Sequence, residues 1–190
     1  MKYQTKIIEK PADTLTPVGV YLRIRDQFPE SLLLESSDYN SDKNSFTFIV
    51  AGLLENFKID KGVLSVNHQK KSIENTETVK NALKDFIAQI HVRQPDKTKQ
   101  FNGLYGYTGF EAVKYFEDIR FESKPQKDAI PELNYGFYRF IVAINHFNDN
   151  MIILENIPDG ETSQIESFKN LVTAQKVPQF HFKANNDETS

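Results

Sequence analysis

The chain has 190 residues, with 23 basic and 26 acidic side chains and a formal net charge of −3. These charges are mixed along the sequence, so no basic stripe can neutralise phosphates, and we expect no nucleic-acid partner. The sequence lacks cysteine, which excludes thiolate catalysis and disulfides, and it has no apolar run near the roughly 20 residues that span a bilayer. It therefore predicts a cytoplasmic protein without a membrane partner.

The N-terminal part of the sequence predicts a strand, a helix and a second strand. Residues 2–9 alternate weakly between polar and apolar, which favours a strand. Thr16 and Pro17 are typical of a helix start, because threonine caps the first turn and proline is pre-organised for it. Pro29 ends this helix, and the three leucines within residues 31–36 predict a buried strand.

The middle of the sequence predicts a meander followed by an amphipathic helix. A polar turn at residues 38–44 precedes the alternating segment 45–52. Residues 53–59 and 63–67 indicate two further short strands. Apolar residues then recur with a period of 3.6 between residues 76 and 92, which predicts a helix over that range.

The C-terminal part predicts a hairpin and a last helix. Residues 135–147 and 151–157 form the two hairpin strands around an Asn-Asp-Asn turn. Ser163 and Glu166 match a capping box for the last helix. The complete pattern predicts an α+β fold, with mainly antiparallel sheet and three or four helices.

The residue patterns alone show no catalytic machinery. The four histidines have no partner histidine three or four residues away, and no GxSxG, Walker or GxGxxG motif occurs. Gly103, Gly106 and Gly109 punctuate an aromatic segment over residues 101–118. Glycines at this spacing more often mark tight turns and close backbone approach than a phosphate cradle.

Several segments, taken in order, resemble the N-terminal region of the anthranilate synthase large subunit. The chain reads LTPV and YL at residues 15–18 and 21–22, LLES at residues 33–36, and GLYGYTGFE at residues 103–111. Further matches are VKYFE at residues 113–117, IPEL at residues 130–133, and the hairpin strand that contains Asn145 and His146. The ordered set resembles that family over roughly residues 12–157.

The resemblance implies part of a lyase that converts chorismate to anthranilate and pyruvate. It implies a regulatory domain over residues 1–178 and a tail at 179–190 that leads toward a C-terminal catalytic domain acting in cis. In this family that domain holds Mg²⁺ and chorismate, and a glutamine amidotransferase subunit supplies ammonia. We therefore expect no cofactor and no catalytic residues in this segment, and no activity from it alone.

The resemblance also implies a feedback site for L-tryptophan, lined by Leu34, Glu35 and Ser36. Glu35 can pair with the effector's ammonium, Ser36 can hydrogen-bond it, and Leu34 and Phe46 can contact the indole. The alternative is a purely structural role, in which the leucines of this strand enter the core and Glu35 only marks the strand end. Where the family often has a basic or tyrosine residue before the next strand, this chain reads SFTFIV from residue 45, which leaves Lys43 as the cation that could reach the effector's carboxylate.

Two further interpretations remain open. Aminodeoxychorismate synthase shares the glycine-rich segment, whereas the TPV and LLES elements favour the anthranilate branch. A stand-alone small-molecule-binding module with no enzyme attached is the alternative from a different functional class.

Overall fold

The structure is a computed structural model that describes residues 1–35, 45–117, 119 and 130–175. Its described residues form one nine-stranded, mostly antiparallel sheet with helices packed against it, which confirms the predicted α+β class. The strands are β1 Lys2–Pro11, β2 Leu32–Glu35, β3 Phe46–Asp60, β4 Val63–Val66, β5 Gln69–Lys71, β6 His91–Arg93, β7 Leu104–Thr108, β8 Leu133–Asn145 and β9 Asn150–Pro158. The helices are α1 Pro17–Ile24, α2 Thr76–Gln89 and α3 Ile165–Val172, with 3-10 turns at Asp96–Thr98 and Phe110–Tyr115.

The two longest strands, β3 and β8, pair along nearly their whole length. Their antiparallel register runs from Phe46 opposite Asn145 to Ile59 opposite Leu133. The outer edge of β3 carries β2 at one end and β4 at the other, while β8 carries β9 and β7 in the same way. The central pair therefore joins two halves of the sheet, and each half has its own helices.

The continuity of β3 differs from the sequence prediction. The prediction of separate strands at 45–52 and 53–59 was wrong, because one strand of 15 residues spans both. The register shifts between Leu53 and Glu55, next to Gly52, whose φ is +70°. A glycine at positive φ beside a register shift lets the strand absorb an irregularity without ending.

Helix α1 follows its predicted start signal and α2 begins at Thr76, as predicted, but α2 ends early. Thr16 caps α1 by accepting a hydrogen bond from the backbone N–H of Gly19 at 3.1 Å, as predicted. The expectation that α2 reaches residue 92 was wrong, because His91–Arg93 pairs in parallel with the start of β1. Strand pairing thus wins over helical periodicity in the last residues of that segment.

The start of α3 is held by a buried carboxylate from β9 instead of the predicted capping box. Glu155 is fully buried and accepts hydrogen bonds from the Ser163 hydroxyl at 2.6 Å and the Gln164 backbone N–H at 2.9 Å. It also pairs with Arg139, whose Nε lies 3.0 Å away. The N-cap residue is Gln164, which makes no side-chain capping bond, and Ser163 accepts only a long 3.5 Å bond from the Ile165 N–H, so the predicted Ser163–Glu166 capping box was wrong.

Three apolar clusters form the core. The first cluster lies between strands β3, β8 and β9 and helices α1 and α3, and the second lies under α2. The third lies on the other face of β3, β8 and β9, away from α1 and α3. Within the described part of the chain, no helix is long and apolar enough to cross a membrane.

We expect the Glu155→Gln variant to lose about 3–5 kcal/mol of unfolding free energy, the usual effect of removing one partner from a buried ion pair. The change leaves Arg139, whose side chain is only 12% exposed, without its buried counter-charge. Urea unfolding measures this loss.

Glu166→Gln is the matched control, since Glu166 pairs with Lys169 at the surface and is 69% exposed. Its effect should stay within about 1 kcal/mol. Equal losses in the two variants would contradict this account.

Candidate functional site

The candidate site lies at the end of the sheet where β2 ends and β3 begins. Leu34 and Glu35 are the last two residues of β2 and stand opposite Phe48 and Thr47 of β3. Leu34 is half-buried and Glu35 is exposed. Ser36, which the sequence also assigned to this site, lies outside the described residues, as does Lys43.

The strand alternation divides the predicted site between the two faces of the sheet. Leu34 shares a face with Phe48 and hence with Phe46, two residues earlier on β3. Glu35 shares the opposite face with Thr47. Among the described strands β2 pairs with β3 alone, so its other edge carries no described strand. The structure therefore brings Leu34 and Phe46 to one face and Glu35 to the other, around one strand end.

Aromatic rings form the wall on the Phe46 side. The centroids of Phe46 and Phe101 lie 5.3 Å apart, and those of Phe48 and Tyr105 lie 5.6 Å apart. Phe46 and Phe101 also line a cleft of about 440 Å³ next to the β8–β9 turn. Burial raises the pKa of the Tyr105 hydroxyl, which donates a hydrogen bond to the Phe101 carbonyl. This wall suits apolar contact, not proton transfer.

Polar groups and helix α1 mark the Glu35 side. Thr47 is fully buried, and its hydroxyl lies 2.7 Å from Nε2 of His146. Helix α1 packs against this face, where Val20 and Ile24 join the same apolar cluster as Ile49. Within the described part of the chain, the Glu35 carboxylate takes part in no hydrogen bond or ion pair, so it is available to a ligand.

Sequence reasoning missed the burial of one charged residue of α1, Arg23. The residue is only 9% exposed, and its Nε and Nη1 have no hydrogen-bond partner among the described residues. The signal was present, since Arg23 follows Val20 by three residues and precedes Ile24. That spacing puts the arginine beside the inward stripe of the helix.

The glycine-rich segment serves backbone packing. Gly106 lies in β7 opposite Tyr135 of β8, and a Cβ at Gly106 would meet the Asn134 carbonyl oxygen at 1.9 Å. Only glycine permits so close an approach of the two strands. Gly106 therefore acts as the sequence indicated, as a place of close backbone approach.

The arrangement supports binding chemistry. The histidine nearest to the site, His146, is engaged with Thr47. In the ranges that the structure describes, no three or more His, Asp or Glu side chains are grouped so that they could hold a metal ion. We therefore assign no Mg²⁺ ligand among the described residues.

Comparison with known proteins agrees with the resemblance seen in the sequence. The family described as chorismate binding enzyme matches residues 31–190. The chain is 30% identical over 169 residues to anthranilate synthase component 1 of Lactococcus lactis, which covers 85% of this chain and 34% of that protein. The corresponding protein of Thermus thermophilus is 26% identical over 157 residues, covering 83% and 33%. The chain thus spans about a third of the length of these curated relatives.

Among solved structures, the chain is similar to the crystal structure of anthranilate synthase component I from Streptococcus pneumoniae. That similarity has a TM-score of 0.43 at 21% identity, and it covers 86% of this chain and 34% of that one.

We expect Gly106→Ala to destabilise the chain by about 3 kcal/mol or more, because the new methyl group must displace the backbone of β8. Gly103→Ala in the same segment is the control, since a Cβ there meets no atom within 4 Å. Thermal unfolding of both variants measures the difference. Variants of equal stability would show that the β7–β8 approach is not as close as described.

Proposed function

This chain belongs to the chorismate binding enzyme family, and we propose that it is the N-terminal, tryptophan-sensing part of an anthranilate synthase component I. The enzyme it serves would convert chorismate to anthranilate and pyruvate. Mg²⁺ and chorismate would bind to a C-terminal catalytic domain, and ammonia would come from a glutamine amidotransferase subunit. The LLES element and the names of the relatives from L. lactis and T. thermophilus support this assignment.

The single observation that carries the effector role is the unpaired Glu35 carboxylate at the end of β2. It is exposed and, within the described part of the chain, has no partner, while Leu34 and Phe46 nearby are half-buried apolar side chains. An α-amino acid with an indole side chain needs an acceptor for its ammonium and an apolar surface for its ring. A ligand that lies across the edge of β2 away from β3 can reach both faces, so the division of these residues between faces is compatible with one site.

The regulation we propose is allosteric. Tryptophan at the end of β2 would favour an inactive arrangement of this segment and the catalytic domain. It can do so only through a difference in its affinity for the two arrangements. A ligand at the end of β2 lies where a second domain can also contact it. Contacts that form in only one of the two arrangements would make the affinity for tryptophan differ between them.

The anthranilate branch is favoured over aminodeoxychorismate synthase. The glycine-rich segment does not discriminate between them, whereas LTPV at residues 15–18 and LLES at residues 33–36 favour anthranilate synthase. An assay of the enzyme that contains this chain distinguishes the branches, because anthranilate is fluorescent and forms together with pyruvate.

We expect L-tryptophan to bind to the 190-residue chain and Glu35→Gln to weaken that binding about 10- to 150-fold, the effect of losing a hydrogen bond to a charged group. Isothermal titration calorimetry measures both. Glu74→Gln is the control, because Glu74 is also exposed but precedes α2 in the other half of the sheet.

Two outcomes would contradict the proposal. A wild-type chain that binds no L-tryptophan would remove the sensing role from this segment. Equal affinity of wild type and Glu35→Gln would leave tryptophan binding in place but remove Glu35 from the site.

A further inference from the structure

A cleft of about 550 Å³ lies on the face of the sheet opposite α2. Phe57, Ile59 and Leu64 point into the core under α2, so the residues that alternate with them along β3 and β4 face the cleft. Residues 29–31, which connect α1 to β2, form the other wall. None of the described residues that we assign to the tryptophan site lines this cleft, so it is a separate place in the fold.

Lysine side chains gather along one wall of the cleft. A row across β8, β3, β4 and β5 consists of Asn134, Lys58, Ser65 and Lys70, each opposite the next in the strand register. This row lines the cleft, and so does Lys61 in the turn between β3 and β4. Neighbouring strands are about 4.8 Å apart, so the three lysines lie within reach of one small molecule.

Two of the three lysines lack a counter-charge. The Lys58 ammonium lies 3.0 Å from the carboxylate of Asp60, whereas Lys61 and Lys70 form no ion pair with any residue that the structure describes. Like charges that share a cleft repel each other, and an anion bound between them replaces that repulsion with attraction. This wall therefore offers a binding position for a group with two negative charges.

The opposite wall carries a buried hydroxyl without a partner. Ser31 is only 6% exposed, and its Oγ forms no hydrogen bond within the described ranges of the chain. Buried polar groups in native proteins nearly always have a partner, because a buried group left unpaired costs stability. Since Ser31 lines the cleft, a hydroxyl group of a ligand can supply the missing partner.

The surface near Ser31 does not suit an anion. Burial, and then the charge of Glu30, raise the pKa of the Tyr138 hydroxyl to about 12, so the Glu30 carboxylate lies near that ring. Leu53 and Tyr138 close over Gly136, since an added Cβ there would lie 2.4 Å from Leu53 and 2.7 Å from the tyrosine ring. An anionic group therefore belongs at the lysines, and the uncharged part of a ligand belongs at the Ser31 side.

A phosphate monoester with hydroxyl groups in its organic part has this chemistry. Its phosphate carries a charge of about −1.5 to −2 near pH 7, which matches two unpaired ammonium groups better than a single carboxylate does. The volume of the cleft is typical of small-molecule sites, and a phosphate ion alone would occupy only a small part of it. The remaining space accommodates an organic part that reaches Ser31.

We propose that this cleft binds a phosphate monoester of a polyhydroxylated molecule, with the phosphate at Lys61 and Lys70 and a hydroxyl group at Ser31. A ligand in this position contacts both the α1–β2 connection and the strands β3 to β5. The inference goes beyond the tryptophan-sensing function and does not depend on it.

Three probes of similar size test the site by calorimetry on the 190-residue chain: glucose 6-phosphate, gluconate and glucose. Glucose 6-phosphate should bind, gluconate should bind about 10-fold more weakly because it carries one negative charge, and glucose should not bind detectably. Equal affinity for gluconate and glucose 6-phosphate would overturn the choice of phosphate. A wild-type chain that binds none of the probes, or that binds glucose as tightly as glucose 6-phosphate, would overturn the site.

Paired lysine substitutions locate the phosphate. The Lys61→Gln/Lys70→Gln double variant should weaken the binding of glucose 6-phosphate about 10- to 100-fold. Lys80→Gln/Lys84→Gln is the matched control, because it changes the net charge equally but lies on α2, at the opposite face of the sheet. Its affinity should stay within about 2-fold of wild type, since salt screens distant charges. Equal weakening in the two double variants would show a response to overall charge alone and would overturn the proposal.

Ser31→Ala separates a ligand contact from a structural role. Because the hydroxyl has no described partner in the protein, the variant should melt no lower than wild type and bind glucose 6-phosphate about 3- to 10-fold more weakly. A lower melting temperature or an unchanged affinity would overturn the role of Ser31. L-tryptophan titrated into the lysine and serine variants should bind as it does to wild type. A parallel loss of both ligands would contradict two separate sites.

Discussion

The pairing of β3 with β8 is the constraint on which the rest of the structure depends. These strands run together from one end of the sheet to the other, and every other part of the sheet is attached to one of them directly or through one or two further strands. At one end the pair carries β2 and β9, with α1 and α3 packed on them, and at the other end it carries β4 and β7, with α2. The Glu155–Arg139 pair, formed by β9 and β8, adds the start of α3 to this frame.

The candidate site follows from that frame. The first residues of β3 bring Phe46 and Thr47 to the sheet end, where the outer edge of β3 holds β2. Because β2 is short and pairs with β3 alone among the described strands, its last residues combine a fixed backbone with an edge that carries no described strand. An aromatic wall on one face of this strand end and the exposed Glu35 carboxylate on the other support the proposed recognition of an amino acid with an indole ring. The glycine-rich segment, by contrast, is explained by the close contact of β7 with β8.

Much of the fold was predictable from local signals, whereas the long-range contacts were not. The Thr16 cap, the β8–β9 hairpin and the α+β class follow from residues that are neighbours in sequence. The early end of α2 depends on a partner some 90 residues away in β1, and Ser163 binds a buried carboxylate that no local pattern announces. For the site, the sequence identified residues through family resemblance. It did not identify the burial of Arg23, although the spacing of that residue from Val20 and Ile24 indicated it.

A crystal structure of the chain with L-tryptophan tests the central claim most directly, namely that the end of β2 is the effector site. The account predicts density for the ligand at this strand end, with its ammonium at Glu35 and its indole against Leu34 and Phe46. Tryptophan bound elsewhere, such as in the cleft near the β8–β9 turn without contact to Glu35, would contradict it.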